Sequence, residues 1–412
     1  MSLDEGNVSR GAGALAGWKC IFLANGFTGV PQPSGGTTHF TEVASAWLAD
    51  GLDLTVQTCA SGVENLRLER YEGPVLRAPL DLGNGENLVK VVLMYLARMI
   101  SVPFVLPWRA PRALLYGTSD LFCDTVPCFL RRVLGRERTC WVNCVWHLLP
   151  APSIREGSRL VNTLAFLAQR FSMILIKSAA DLVLVDNPVL RDQLLALGFE
   201  PRRVFITAMG VELPPRPPVP APRYDACYMG RLHPSKGVFE LLDAWEKVRR
   251  SVGDATLVIV GTGRDDVVRE LEERIRSRGL SGAVEMVGYV TRERLDEILC
   301  SSRVFVFPSH EEGFGISLLE GMAHGLPAVA FELPHYHDVF GDTVQTVPEG
   351  DVDAFASAVV RLLGDDELRW ELAERGRQLG ERYTWHSVAD GEAEAIAGVI
   401  GVPEADRRAS YG

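Results

Sequence analysis

Residues 304–331 read Val304-Phe305-Val306-Phe307-Pro308-Ser309-His310-Glu311-Glu312-Gly313-Phe314-Gly315-Ile316-Ser317-Leu318-Leu319-Glu320-Gly321-Met322-Ala323-His324-Gly325-Leu326-Pro327-Ala328-Val329-Ala330-Phe331. A short β-branched and aromatic run, a loop broken by two glycines, an apolar stretch of helical spacing and a second apolar run spell strand, turn, helix, strand. That is the repeating unit of an open parallel sheet covered by helices.

The same alternation extends upstream. Strands are expected at Ala226–Met229, Thr256–Val260 and Val284–Val287, with helices at Val238–Arg250, Asp266–Arg278 and Arg292–Cys300. In the first of these helices Val238, Leu241, Leu242, Trp245 and Val248 share one face, as packing on a sheet requires. The first half repeats the pattern. Strands are expected at Cys20–Ala24, Leu52–Thr58, Ala113–Tyr116, Cys140–Val145, Leu182–Val185 and Val204–Ile206. A Gly/Pro-rich loop, 25–36, precedes a helix over Thr37–Ala49, and Leu160–Ala180 reads as a helix buried between layers. Between the halves, residues 214–223 (PPRPPVPAPR) carry six prolines in ten positions, an extended connector belonging to neither core. The expectation is two doubly wound α/β domains, 1–213 and 222–384.

Composition narrows the function classes. The 412 residues are 47% hydrophobic and 23% charged, enough for two large cores. Net charge is −11, divided as +1 over residues 1–213 and −12 over the remainder, which argues against a nucleic-acid partner. Eight cysteines without a CxxC pair, and no basic-then-apolar leader pattern, point to reduced thiols and a cytoplasmic location. Leu88–Trp108 is the most apolar stretch; Lys90, Arg98, Pro103 and Pro107 interrupt it, so a buried helix and loop are expected.

In a doubly wound sheet ligands bind at the carboxyl ends of the strands, and two such domains in tandem place a cleft between those edges. After the strand at 304–307, Gly313 and Gly315 allow close backbone approach to a ligand. The free N–H groups of Ile316, Ser317 and Leu318 then suit a phosphate. Glu312 and Glu320, eight apart, suit sugar hydroxyls and need a nearby cation. A strand-turn-helix connection with Glu320 at the positive helix end explains the same residues. Gly230-Arg231-Leu232-His233-Pro234-Ser235-Lys236-Gly237 supplies the cations: Arg231 and Lys236 could hold a diphosphate, or be two solvated cations on a turn. Gly261-Thr262-Gly263 follows the next strand at the same edge.

These segments, GRLHPSKG and PSHEEGFGISLLEGMAHGLPAVAF with VGTG and MVGYV between them, resemble the donor domain of retaining glycosyltransferases of family four, which have the GT-B fold of two Rossmann-like domains facing each other across a cleft. The resemblance is dense in the second half and loose in the first. It implies that Arg231 and Lys236 bind the donor diphosphate, Glu312 contacts the donor sugar and Glu320 the ribose. Phe314, Gly315 and Ile316 would line the phosphate and sugar pocket, with Gly230, Gly261, Gly263, Gly313 and Ser317 completing the donor site. Gly35 and Gly36 resemble the family's glycine loop after the first strand, and His147 its first-domain histidine on the donor sugar. Residues before His337-Asp338-Val339 depart from the family pattern of a Gly-rich turn and a Glu. The family's terminal helix crosses back to the first domain, which assigns 385–412 there, with Pro403–Gly412 reading as disordered.

Asp120 and Asp124, with His147, are the acceptor-binding candidates, although a helix cap explains Asp120 equally well. Arg131, Arg132, Arg136 and Arg138 form a basic cluster suited either to an anionic acceptor or lipid headgroup, or to a solvated helix face. Asp351-Val352-Asp353 has a DxD form but reads as a helix cap, and His335-x-His337 is too short a cluster for a zinc site. The expected reaction is metal-independent transfer of a sugar from a nucleoside diphosphate, UDP or GDP foremost, to an acceptor hydroxyl, with Glu312, His147, Arg231 and Lys236 acting in catalysis. The nucleotide sugar is a co-substrate and no cofactor is implied. A two-carboxylate glycoside hydrolase and a non-catalytic nucleotide-binding module are the alternatives.

Overall fold

The computed structural model describes residues 10–28, 34–83, 87–135, 138–155, 158–214 and 222–401. The chain divides into two compact units, Met1–Met209 with Trp385–Gly412, and Gly210–Thr384. Most of the proline connector, 215–221, and the closing stretch after Gly401 lie outside the described residues.

The first unit opens with α1 (Arg10–Ala14), β1 (Lys19–Ala24), α2 (Gly35–Ala49), β2 (Asp53–Thr58), α3 (Ala60–Leu68) and β3 (Val75–Arg77). It continues with α4 (Leu88–Ser101), β4 (Arg112–Gly117), α5 (Phe122–Leu134) and β5 (Arg138–Cys144). Then come α6 (Arg159–Ala179), β6 (Leu182–Val185), α7 (Pro188–Ala196) and β7 (Val204–Ile206). The seven strands pair in parallel in the order β3-β2-β1-β4-β5-β6-β7. Alternation along β1 feeds two cores: Cys20 and Phe22 pack with Trp47 and Tyr116 on one face, while Ile21 and Leu23 pack with Leu115 and Trp141 on the other.

The second unit holds β8 (Tyr224–Met229), α8 (Val238–Ser251), β9 (Leu257–Val260), α9 (Asp265–Ser277), β10 (Val284–Gly288) and α10 (Arg292–Cys300). Next come β11 (Ser302–Phe307), α11 (Ile316–Ala323), β12 (Ala328–Phe331), α12 (Tyr336–Phe340) and β13 (Gln345–Val347). Two further helices, α13 (Val352–Gly364) and α14 (Asp366–Arg382), close it before α15 (Trp385–Gly401) returns to the first unit. Its six parallel strands run β10-β9-β8-β11-β12-β13. Strand order therefore reverses between β1 and β4 in one sheet and between β8 and β11 in the other. The crevices at these switch points are the natural ligand positions.

Glu392 anchors α15. Its carboxylate is fully buried and accepts from the Tyr116 hydroxyl at 2.8 Å and from Thr207 Oγ1 at 2.5 Å, with His39 Nε2 3.0 Å away. Trp47 Nε1 donates to the Ala389 carbonyl at 3.0 Å on the same helix. A second buried network sits at the β1/β4 switch point. Asp124 accepts from the Asn25 backbone N–H at 2.7 Å, Asn25 Nδ2 at 3.1 Å and the Ser119 hydroxyl at 2.6 Å. Burial nevertheless outweighs these donors and pushes its carboxyl up to about 7.

Two expectations change and one holds. Leu88–Trp108 and Leu160–Ala180 are not buried helices: α4 and α6 each pack one face inward, against α5, and leave an apolar stripe outside, because polar side chains such as Arg98, Asn162 and Gln169 take the inner face. The arginine cluster is not a free basic patch. Arg131 is buried, donating to Thr139 Oγ1 at 2.7 Å, and Arg132 pairs with Asp181 at 3.0 Å. Arg138 donates to the Ile400 carbonyl, and Arg136 lies outside the described residues. Finally, Asp351 caps α13 by accepting from Ala354 N at 2.9 Å, in accord with the cap reading.

Two predictions follow from the buried carboxylates. Glu392→Ala strands a tyrosine hydroxyl, a threonine hydroxyl and an imidazole, and should cost about 3 kcal/mol of first-unit stability. Hydrogen-exchange protection of β4 and α15 reads this; unchanged protection would contradict it. Because Asp124 keeps its proton to a higher pH when folded than when unfolded, its contribution to stability is greatest near pH 4 and lost as pH rises through about 7. Asp124→Asn should therefore remove a pH-dependent contribution on the order of 3 kcal/mol from protection of β1 and α5 between pH 5 and 8. An unaltered slope would contradict that assignment.

Candidate functional site

The β8/β11 switch point of the second unit is built from two loops that interlock. After β8, Gly230 N–H donates to the Val260 carbonyl at 3.1 Å and Leu232 N–H to the Thr262 carbonyl at 2.8 Å. The ladder between β8 and β9 thus continues past the strand ends, and Gly261 and Gly263 are part of its rail. A single 3-10 turn, Pro234–Lys236, then leads through Gly237 into α8. Gly237 sits at φ +65°, and a Cβ there would stand 1.7 Å from the Pro308 carbonyl oxygen. Only glycine permits this approach.

Across that contact, His310 N–H donates to the Ser235 carbonyl at 2.9 Å. Lys236 Nζ donates to the Glu311 carbonyl at 2.6 Å and to Glu312 Oε1 at 2.7 Å. Both side chains of the Lys236–Glu312 pair are largely shielded, at 18% and 14% exposure, so the attraction is little screened. Arg231 is exposed beside them. The cation that the two carboxylates required is therefore Lys236 for Glu312.

Glu320 has a cation of its own. Arg292, at the start of α10, donates through Nη1 to Glu320 Oε1 at 2.7 Å and lies 3.1 Å from Asp296 and 3.7 Å from Glu212. His324 extends the network, with Nε2 3.0 Å from Asp296 Oδ1. Arg292 is the functional-site residue that sequence reading missed. It lies 28 positions from Glu320 and outside any glycine-rich loop, and only the adjacency of β10–α10 and α11 brings it near.

Gly315, at φ +100°, turns the chain into α11, whose first residues are Ile316 and Ser317. Gly313 stands exposed in the same loop. Phe314 corrects its expected role: the ring is buried edge-on against Phe340 and Tyr383 at 6.1 and 5.7 Å, so it supports the loop from below and does not line an open pocket.

In the first unit, Gly35 and Gly36 belong to the first turn of α2, which starts two residues earlier than expected because Ser34 caps it by accepting from Thr37 N at 3.2 Å. The preceding residues 29–33 of the glycine loop lie outside the described residues. A cavity of about 210 Å³ opens at the β1/β4 switch point, lined among others by Phe27, Gly36, Phe40, Leu121, Asp124 and Trp146. Asp120 is not a helix cap; it accepts from Gln169 Nε2 at 2.6 Å, and burial raises its carboxyl pKa. His147 is exposed at the end of β5, its carbonyl accepting from the same Gln169 nitrogen at 2.9 Å. The structure brings Asp120 and His147 together through Gln169, while Asp124 belongs to the cavity.

Comparison with known proteins agrees with this division. Residues 223–365 match the family described as Glycosyl transferases group 1. The O-antigen chain mannosyltransferase B of Escherichia coli is 31% identical over 165 residues, covering 39% of this chain and 42% of that protein. The phosphatidyl-myo-inositol mannosyltransferase of Mycobacterium leprae is 36% identical over 169 residues, 39% of this chain and 43% of its own. The match thus spans about two fifths of the length of these curated relatives. Among solved structures, HepE of Anabaena in complex with UDP and glucose superposes with a TM-score of 0.69 over 92% of this chain and 99% of its own at 17% identity. Staphylococcus aureus TarM, in a complex containing UDP, gives 0.70 over 93% and 100% at 11% identity. The whole chain has the GT-B fold of these glycosyltransferases, and its second unit carries the likeness to glycosyl transferases group 1.

Proposed function

We propose that the protein is a retaining glycosyltransferase that moves a sugar from a nucleoside diphosphate, UDP or GDP, to an acceptor hydroxyl. The observation that carries this reading is the Lys236–Glu312 pair at the β8/β11 switch point, flanked by Arg231 and the start of α11, within the segment that matches glycosyl transferases group 1.

In this reading the diphosphate lies against Arg231, Lys236 and the first N–H groups of α11, with Gly230, Gly261, Gly263, Gly313 and Gly315 leaving room for it. Charge grows on the diphosphate as the bond from its oxygen to the anomeric carbon breaks. Two cations and a helix end stabilise that charge more in the transition state than in the ground state. The acceptor oxygen bonds to the anomeric carbon on the face the diphosphate leaves, and the acceptor proton passes to a diphosphate oxygen. A glycoside and a nucleoside diphosphate result. Glu312 positions the sugar and Glu320 the ribose. The cavity beside Gly36 and Asp124 is the acceptor position. This chemistry asks for no metal ion.

The hydrolase alternative fares worse on an observation of the site. Glu312 is hydrogen-bonded to Lys236 and Glu320 to Arg292, and a two-carboxylate hydrolysis gives these cations no role.

Donor turnover tests the reading. Release of nucleoside diphosphate from a UDP- or GDP-sugar should fall by about 10²–10³-fold in Lys236→Ala and in Arg231→Ala. Cleavage of a nitrophenyl glycoside without nucleotide, unaffected by Lys236→Ala, would overturn it.

A further inference from the structure

We infer that the outer face of α4, α5 and α6 is a docking surface for an anionic lipid bilayer. Three observations carry this. The first is an inversion of polarity. On α4, Val89, Val92, Leu93, Leu96 and Ile100 recur at helical spacing on the exposed side, whereas Arg98 and Ser101 are buried. On α6, Leu160, Leu164, Leu167, Phe171 and Ile174 are exposed, from 42% to 65%, whereas Asn162, Gln169 and Ser172 are buried. A helix facing water shows the opposite pattern.

The second observation is continuity. α5 packs against both α4 and α6, and its own end presents Val133 and Leu134, while Phe104 just beyond α4 is 82% exposed. Apolar side chains scattered singly over a surface need no explanation, but two apolar outer stripes on helices that pack on one shared helix do. Both stretches, Leu88–Val105 and Arg159–Ala179, are long and apolar enough to cross a membrane by length and composition. Their inner faces are instead committed to the protein interior, through Met94 and Arg98 beside α5 and the loop after β1 on one and through Met173 and Ile176 in the core on the other. That geometry lays the helices along a surface and does not thread them through it.

The third is charge, which selects the occupant. Residues 88–180 contain twelve Lys and Arg against four Asp and Glu; Arg98 and Arg132 are paired with Asp81 and Asp181 and Arg131 is buried, so the surface charge comes from the remaining cations. Two of the four acids, Asp120 and Asp124, are buried, and Glu137 and Glu156 lie outside the described residues. Lys90, Arg109, Arg159 and Lys177 are exposed around the stripes. An apolar stripe rimmed by cations is complementary to anionic headgroups over acyl chains. Two copies of this face would set like charges against each other, which disfavours self-association.

Sedimentation of the full chain with large vesicles tests the inference and needs neither donor nor acceptor, so its failure leaves the transfer reading untouched. Binding to phosphatidylcholine vesicles containing phosphatidylglycerol should exceed binding to phosphatidylcholine alone by at least tenfold and weaken on raising salt from 0.1 to 0.5 M. Leu164→Glu with Phe171→Glu should lower binding at least tenfold. Lys90→Glu with Arg159→Glu, which leaves every apolar contact in place, should do so too and abolish the lipid preference. Circular dichroism of each variant confirms that it folds. Failure of the wild-type chain to bind anionic vesicles would overturn the inference. So would equal binding by the folded variants, or a dimer in equilibrium sedimentation that either variant converts to monomer.

Discussion

The second unit depends on one close approach, Gly237 against the Pro308 carbonyl. Because no Cβ intervenes, the loop after β8 can lie directly on the loop after β11, and Lys236 reaches both the Glu311 carbonyl and the Glu312 carboxylate. A cation that would otherwise be mobile on its flexible stem is fixed, and a carboxylate in a glycine-broken loop is given one orientation. Arg292 plays the corresponding part for Glu320, with Asp296 and Glu212 sharing its guanidinium.

Most of the fold and half of the site were legible before the structure. The alternation of β-branched runs with helical spacing located β8 to β12 to within two residues, because a parallel strand buried on both faces is apolar throughout. It missed the three-residue strands β3 and β13 and the helices α1, α3, α7, α12 and α14. The Glu312 and Lys236 loops were visible because glycines and charges stood together just past strand ends. Arg292 was not, since only tertiary packing brings it to Glu320. Phe314 was misplaced for a related reason: a motif gives the sequence of a loop but not which of its side chains turn inward against Phe340 and Tyr383.

The first unit shows why apolar periodicity alone is a poor guide to burial. In α4 and α6 the outward stripe is the more apolar one, and polar side chains go inward where each finds a partner: Arg98 donates to the Asn25 and Phe27 carbonyls at 2.9 and 2.7 Å, and Gln169 to Asp120. Arg98 thereby holds the chain just after β1, the same stretch whose Asn25 is held by Asp124. A helix whose outer face suits lipid and whose inner face fixes the loop beside a ligand cavity ties surface and site together. Likewise the net charge of +1 over the first half hides a basic segment offset by acidic neighbours such as Asp81 and Asp181.

The account rests centrally on a nucleoside diphosphate occupying the β8/β11 switch point. Its most direct test is thermal unfolding with UDP, GDP, ADP, CDP and dTDP in turn, each in large excess. A ligand at about 100 times its dissociation constant adds roughly 2.7 kcal/mol of stability. The account predicts a rise with UDP or GDP that vanishes in Arg231→Ala; no rise with any of the five would contradict it.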